Sequence, residues 1–285
     1  MIQIRLLSPA DAPTLRAYLA AQADWRLMML NNLDRAEIGD GAAPYGGIYA
    51  GRFDKGDLIG CLGLFWNGMV LSHTASGHGE MLALVLARAT RKLAGVTGPI
   101  GDVEACIAAI AERNGMPRQA NRETLFAVKL AELKLPEALR VGSVTVNRAQ
   151  ARDRALAVEW RIDMLAATRI GQSAEAMREQ AEIEIGRLLD AGLVWVAKQD
   201  GIAVAQATTI ALAEGRACVG GVWTPAASRN QGFARAVVAG QLRILESEGI
   251  ERGVLFTGQH NGAAISAYKA LGFAELGAWG MAFYG

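Results

Sequence analysis

The sequence predicts an α/β protein built from two consecutive domains. At 285 residues the chain is long for a single hydrophobic core. The two halves also show roughly the same order of elements: a helical start, several strands, a glycine-led helix, a strand, a helix and a strand. Sequence identity between the halves is too low to prove a duplication, so the repeated order is the stronger indication. The predicted domains are 1–138 and 139–285.

Composition and charge are those of a globular chain. Hydrophobic residues make up 52% and charged residues 20%, and the formal net charge is +1. Neither half is strongly basic, which argues against a nucleic acid or an anionic membrane recognised by overall charge. We therefore expect no nucleic-acid partner and no membrane partner, and a monomer or a homodimer.

The N-terminus and the cysteines indicate a cytoplasmic protein. Residues 1–13 contain no basic leader followed by an apolar run, and the uncharged stretch 58–79 is broken by Asn67-Gly68 and further glycines. The three cysteines, Cys61, Cys106 and Cys218, are far apart and lie in apolar surroundings. Buried thiols in a reducing compartment are the preferred interpretation, and no spacing indicates a metal site.

Alternation, capping residues and turns predict the elements of the first half. Ser8 followed by Asp11 is a capping-box pattern that begins a helix, and Asn67-Gly68 is a tight turn between two buried strands. The predicted elements are a strand at 2–6, a helix to about 33, strands at 48–53 and within 58–71, helices at 76–92 and 103–113, a closing strand at 124–130 and a linker at 133–139.

The second half contains a similar set of patterns. Gln199-Asp200-Gly201 predicts a hairpin turn, and Gly192 is a helix stop. The predicted elements are a strand at 141–146, helices at 149–168 and 174–191, a hairpin of strands at 193–198 and 202–212, and a strand at 217–223.

Each half has one glycine-led helix start that invites comparison with a phosphate-binding loop. In the first half, Ser76-Gly77-His78-Gly79-Glu80 offers no Arg or Lys, and Glu80 would repel a pyrophosphate. A capped helix start without a ligand is the preferred interpretation there. His73 and His78 are five residues apart, which is wrong for one helix face, so a metal site is not expected.

The second half offers the missing charges. The run from Arg229 to Ala234 reads Arg-Asn-Gln-Gly-Phe-Ala and enters a helix directly after a predicted strand. A helix start leaves backbone N–H groups unpaired, and Gly232 lets the backbone approach an oxygen ligand closely. Arg229 and Arg235 can supply charge to a pyrophosphate. This half therefore contains the better phosphate cradle.

These residues resemble the cofactor-binding core of the GNAT-superfamily N-acetyltransferases. Arg229, Gly232 and Ala234 fill the positions of that family's Arg/Gln-x-x-Gly-x-Gly/Ala loop, and 257–273 resembles a later family motif that ends in Gly-Phe. The resemblance covers about 141–285. It implies two tandem GNAT-like domains, each a mixed, mostly antiparallel central sheet flanked by helices. Residues 1–138 would be a degenerate copy without a phosphate loop, and 139–285 the catalytic domain.

The resemblance also implies site residues and a reaction. A backbone N–H near Val222 would receive the negative charge on the carbonyl oxygen as a neutral amine attacks acetyl-coenzyme A, and Tyr268 would be the general acid. The implied acceptor is a small-molecule or peptide amine. The residues implied to bind acetyl-coenzyme A are Val222, Trp223, Thr224, Arg229, Asn230, Gln231, Gly232, Phe233, Ala234, Arg235 and Asn261.

The general base and the acceptor stay open. Glu159, Asp163, Glu175 and Glu179 lie on the predicted helices that border the acceptor cleft in the family, and each fits a solvated helix face better. His260 also fits a surface loop. A non-catalytic acyl-CoA sensor and an acyltransferase with a different acyl donor are therefore kept as alternatives.

Overall fold

The computed structural model describes residues 1–168 and 171–284. The chain forms two compact units. Unit 1 is Met1–Leu125 together with Leu276–Gly285, and unit 2 is Phe126–Glu275. These units differ from the predicted ranges 1–138 and 139–285 because the chain leaves unit 1 within one strand and returns to it within its last strand.

The first half of the chain contains alternating groups of helices and strands. They are, in order, β1 (Ile2–Leu6), α1 (Ala12–Ala20), α2 (Ala23–Arg35), β2 (Gly47–Asp54), β3 (Asp57–Phe65), β4 (Met69–Thr74), α3 (His78–Arg88), β5 (Gly95–Pro99), α4 (Ile100–Asn114) and β6 (Gln119–Lys129).

The second half repeats this order. Its elements are α5 (Glu137–Arg140), β7 (Thr145–Arg148), α6 (Arg154–Thr168), α7 (Ala174–Asp190), β8 (Val194–Gln199), β9 (Ile202–Ala213), β10 (Arg216–Trp223), α8 (Phe233–Ser247), β11 (Arg252–Gly258), α9 (Gly262–Ala270) and β12 (Ala274–Phe283).

Both units have the same strand order. In unit 1 the order is β1-β2-β3-β4-β5-β12, with β4 and β5 parallel and the other neighbours antiparallel. In unit 2 it is β7-β8-β9-β10-β11-β6, with β10 and β11 parallel and the first four strands antiparallel. Each sheet is thus mixed and mostly antiparallel, which confirms the predicted fold class.

In unit 2, helices cover both faces of the sheet. Alternate residues of β8 show this directly, since Val194 and Val196 pack with α6 and α7, whereas Trp195 and Ala197 pack with α8. Successive side chains of a strand point to opposite faces, so one strand serves both cores. In unit 1, residues of α3 and α4 pack on β2, β3 and β5 in a comparable core.

The secondary structure predicted for three segments is wrong. The N-terminal helix is interrupted, and α1 ends at Ala20 before α2 begins at Ala23. The strand predicted at 141–146 is instead β7, which begins only at Thr145, because Val141 is exposed and follows the short helix α5. That helix lies where a linker was predicted.

The strand predicted to close the first half lies only partly in unit 1. The second part of β6, from Phe126 to Lys129, belongs to unit 2, and the sheet of unit 1 is completed by the C-terminal part of β12. Trp279 to Phe283 pair antiparallel with β5 there. Among the described helices, none combines the length and the apolar composition that a membrane crossing requires.

Candidate functional site

The parallel strands β10 and β11 separate partway along their length. They pair at Arg216 with Arg252, at Ala217 with Gly253 and at Cys218 with Val254. Among the described residues no further pair joins them, although β10 continues to Trp223 and β11 to Gly258. A gap therefore opens in the sheet of unit 2 beyond Cys218, with backbone groups of both strands along its sides.

A bulge in β10 lies beside this gap. Gly220 pairs with Thr208 of β9 and Trp223 pairs with Gln206, so β10 has one more residue than β9 in this interval. Gly221 has φ 56°, and a Cβ there would lie 2.7 Å from Thr208 Oγ1. Val222 has no pairing partner in β9 or β11 among the described residues, so its backbone can bond to a ligand.

The residues after the bulge carry unpaired polar atoms. Trp223 Nε1 and Thr224 Oγ1 are shielded from solvent and have no hydrogen-bond partner among the described residues. A buried polar group without a partner costs about 1–3 kcal/mol, so a ligand that bonds to it is favoured. The two residues directly follow the predicted oxyanion donor, Val222, in the chain.

The loop that follows leads into a helix start without a side-chain cap. Gly232 is the N-cap of α8, has φ 81°, and contributes no capping hydrogen bond. The first turn of α8 contains no acidic residue. Asn230 also has a positive φ, 61°. Successive turns of this kind form concave groups of backbone N–H donors that bind anions, and the positive end of the helix dipole adds to the attraction.

Two arginines approach this helix start. Arg229 Nε donates to the carbonyl oxygen of Thr224 at 3.1 Å, and its guanidinium carbon lies 5.1 Å from the centre of the Trp223 ring. A Cβ on Gly232 would lie 3.2 Å from a terminal nitrogen of Arg235. Both arginines are exposed. The loop is thus tied to the end of β10, with two cations beside unpaired backbone donors.

Other predicted cofactor residues have structural roles in the loop and helix. Gln231 Nε2 donates to the carbonyl oxygen of Ala227 at 3.4 Å, and the Phe233 side chain is buried in the core of unit 2. Only the backbone N–H of Phe233 can therefore face a ligand, while Ala234 is half-buried and small. Asn261 is the N-cap of α9, and its Oδ1 accepts from Ala264 N–H at 3.2 Å.

Tyr268 of α9 is a buried aromatic residue with an unbonded hydroxyl. Its ring centre is 6.4 Å from that of Phe126 and 6.0 Å from that of Phe273. The hydroxyl makes no hydrogen bond within residues 1–168 and 171–284 and is not sealed from solvent. Burial raises the pKa of Tyr268 to about 12. The phenol is therefore protonated throughout the neutral range and suits a donor better than a base.

The corresponding helix start of unit 1 has similar backbone geometry and different surroundings. Gly77 is the N-cap of α3 with φ 82°, and a Cβ there would lie 2.7 Å from Ile4 Cδ1 and 3.4 Å from Arg52 Cδ. Asp102 Oδ2 accepts from Thr74 N–H at 3.0 Å, at the last residue of β4. Side chains of unit 1 therefore already contact this helix start and the end of β4.

The candidate general bases have exposed side chains. Glu159, Asp163, Glu175, Glu179 and His260 are all exposed, as a solvated helix face or surface loop requires. Two polar residues escaped the sequence analysis, Gln206 and Thr208 on β9. Each is almost fully buried and has one side-chain oxygen that bonds to no described residue. Their positions in an alternating strand gave no sequence signal of a site.

The gap, the bulge and the helix start lie together in the part of the chain that a family model matches. Residues 158–273 match the model described as the acetyltransferase (GNAT) family. This part of unit 2 is thus similar in sequence to the GNAT acetyltransferases. No functionally curated protein matches the chain.

Solved structures extend the GNAT likeness over the whole chain at the level of fold. A Drosophila protein of known X-ray structure is 12% identical with a TM-score of 0.70, covering 98% of both chains. A tandem GNAT protein from the clavulanic acid biosynthesis pathway is 11% identical with a TM-score of 0.57, covering 100% of this chain and 99% of the other. A GCN5-related N-acetyltransferase-like protein from Streptococcus suis is 16% identical with a TM-score of 0.56, covering 97% and 100%. The chain thus has the fold of tandem GNAT proteins.

Proposed function

We propose that the protein transfers an acetyl group from acetyl-coenzyme A to a primary amine, at a single site in unit 2. The observation that carries the proposal is the separation of β10 from β11 beside the bulge at Val222. An extended ligand arm placed in that gap can bond to β10 as an added strand would. The helix start at Gly232 follows directly along the chain and suits the pyrophosphate.

The residues present fit this ligand. Arg229, Arg235 and the backbone N–H groups after Gly232 would hold the pyrophosphate, and the unpaired atoms of Trp223 and Thr224 would bond to the arm. The other loop residues would bind through their backbone groups, because their side chains need not contact the ligand. They are Asn230, Gln231, Phe233 and Ala234. Asn261 would keep its capping bond through Oδ1 and offer its amide nitrogen.

The reaction follows from the groups around the bulge. Acetyl-coenzyme A supplies the activated thioester, and coenzyme A is released as a thiol. The backbone N–H of Val222 stabilises the negative charge that develops on the acyl oxygen during attack by the neutral amine. Tyr268 holds a proton at its hydroxyl for the departing sulfur. Burial raises the phenol pKa and would raise the pKa of a thiol at the same place for the same reason, so burial by itself does not enlarge the difference between the two pKa values.

The acceptor is a small molecule or a peptide with an amino group, and its proton passes to solvent in the absence of an assigned base. The formal net charge of +1 is too small to favour one class of acceptor over another. The cytoplasmic location stays a prediction, as does the choice between monomer and homodimer.

Isothermal titration with acetyl-coenzyme A tests the ligand. We expect wild-type protein to bind, and the Arg229→Ala, Gly232→Glu double variant to lose most of the affinity. Arg243→Ala is the matched control, because Arg243 is an exposed arginine of the same helix whose partner is Glu246. Unchanged affinity in the double variant would show that the ligand binds elsewhere.

Thiol release across a panel of primary amines tests the activity. Acetyl transfer must release one free thiol for each amine modified. Binding of acetyl-coenzyme A without release would support the sensor alternative. Release only with longer acyl thioesters would support the alternative of a different donor.

A further inference from the structure

Two buried oxygens on β9, at the strand positions paired with the two ends of the bulge in β10, have no hydrogen-bond partner among the described residues. Gln206 is 0% exposed and Thr208 is 2% exposed. Gln206 Oε1 and Thr208 Oγ1 make no hydrogen bond within the described part of the chain. Because an unpaired buried acceptor costs about 1–3 kcal/mol, two such atoms on the same face of one strand call for a donor that is supplied from elsewhere.

The orientation of the Gln206 amide is fixed by α6. Its Nε2 donates to the carbonyl oxygen of Ala157 at 3.4 Å. A flipped amide would place two oxygens against each other, so Oε1 is the end that stays free. The free end is thus an acceptor only. The Thr208 hydroxyl can accept as well, since it retains its lone pairs.

The register of β9 and β10 places these atoms beside the predicted oxyanion donor. Gln206 is the cross-strand partner of Trp223, and Thr208 is that of Gly220. Between these two pairs lie Gly221 and Val222, and neither has a pairing partner in β9 or β11 among the described residues. Thr208 Oγ1 also lies against Gly221, where an added Cβ would be 2.7 Å away. The two oxygens therefore flank the bulge on the side of α6.

We infer that Gln206 Oε1 and Thr208 Oγ1 accept the two N–H groups of the attacking primary amine. The inference rests on the proposed function and adds the residues that bind the acceptor. With both N–H groups held by β9, the nitrogen lone pair is directed away from them, towards an acyl carbon at Val222. The lone pair forms the new N–C bond as the C–S bond breaks. The nitrogen then loses one proton to solvent, and the sulfur takes one from Tyr268.

This arrangement distinguishes primary from secondary amines. A primary amine has two N–H groups and pairs both oxygens, whereas an N-methyl amine has one and leaves one oxygen unpaired. A site built to bond to a polar group rejects the analogue that lacks it, because its own buried group is then left unpaired. Loss of one such bond corresponds to a factor of about 10 in kcat/KM.

The test compares each amine that the panel identifies with its N-methyl analogue. We expect Gln206→Met and Thr208→Val to lower kcat/KM for the primary amine about tenfold and to reduce the preference over the N-methyl analogue. The dissociation constant of acetyl-coenzyme A should stay within about twofold. Gln241→Met is the matched control. Gln241 is also 0% exposed with an unpaired Oε1, but it lies on α8 and donates to Thr208 O and Thr209 Oγ1.

The outcomes separate this inference from the proposed function. An unchanged preference in both variants, with wild-type activity intact, would overturn the inference alone, and the two oxygens would then bond to ordered water. An equal loss of preference in Gln241→Met would do the same, because the effect would reflect a loosened core. Wild-type protein that transfers to no amine in the panel would overturn the proposed function and the inference with it.

Discussion

The two N-cap glycines allow one substitution to be compared in two units of the same chain. Gly232 has φ 81° and Gly77 has φ 82°, and each begins a helix after a parallel-paired strand. Alanine in this left-handed conformation costs about 1–2 kcal/mol. Both Gly232→Ala and Gly77→Ala are therefore expected to lower the free energy of unfolding by at least this amount.

The surroundings add a different contribution in each case. At Gly77 the new methyl would lie 2.7 Å from Ile4 Cδ1, so a core side chain must move, at a cost of about 1–3 kcal/mol more. At Gly232 it would lie 3.2 Å from a terminal nitrogen of Arg235, which is exposed and can move at little cost. Gly77→Ala is thus expected to be the more destabilising of the two.

Binding of acetyl-coenzyme A should show the opposite order. In Gly232→Ala the methyl displaces Arg235 and stands where a phosphate oxygen approaches the backbone. Loss of one charge-assisted hydrogen bond, about 1.5–3 kcal/mol, raises the dissociation constant about 10- to 100-fold. Urea unfolding gives the stability and isothermal titration the affinity. An unchanged dissociation constant in Gly232→Ala, or an equal rise in Gly77→Ala, would refute the assignment of the cradle.

Three further outcomes follow from buried titratable groups. Tyr268→Phe should lower kcat about 100-fold and leave acetyl-coenzyme A binding and stability nearly unchanged, because the hydroxyl makes no hydrogen bond to a described residue; kinetics at saturating donor would show it. Burial lowers the pKa of His73 from 6.5 to about 3, so stability present above pH 6.5 should fall by about 5 kcal/mol towards pH 3, and less in His73→Leu, as measured by urea midpoints. Burial raises the pKa of Cys61, Cys106 and Cys218 from 9.0 to about 12. The free energy of unfolding present below pH 9 should therefore fall by about 4 kcal/mol per thiol as the pH rises to 12. Cys218→Ala should remove the part of this fall that is due to one thiol.

Local patterns predicted the elements better than their partners. The turn at Asp200-Gly201 has φ 51° and 80°, as a two-residue hairpin turn requires, and the sequence identified it from these residue types. No local pattern indicated that the last part of β6 belongs to unit 2 or that β12 completes the sheet of unit 1. Trp279 Nε1 donates to Thr97 Oγ1, which itself donates to the carbonyl oxygen of Gly280. These contacts join residues 182 and 183 positions apart, so no window of sequence contains both partners.

The candidate site shows the same division between local and distant information. The predicted cradle is formed by residues close together in sequence, namely Gly232, Arg229, Arg235 and the preceding strand. Their residue types alone indicate a loop that binds an anion. Gln206 and Thr208 differ from other polar strand residues only in what faces them. They are paired with the two ends of the bulge in the next strand, and the Gln206 amide donates to the Ala157 carbonyl on α6. A pattern of alternating residues carries neither fact.

The number of bound ligands depends on what surrounds each helix start. In unit 1 the Thr74 N–H already bonds to Asp102, whose other oxygen lies 3.4 Å from His78 Nε2. An anion there would displace or face this carboxylate, which is unfavourable at short range. In unit 2 the bulge and Gly232 have no such partner among the described residues. Titration should therefore give one acetyl-coenzyme A per chain. A stoichiometry of two in wild-type protein would show that an internal carboxylate does not close the first site.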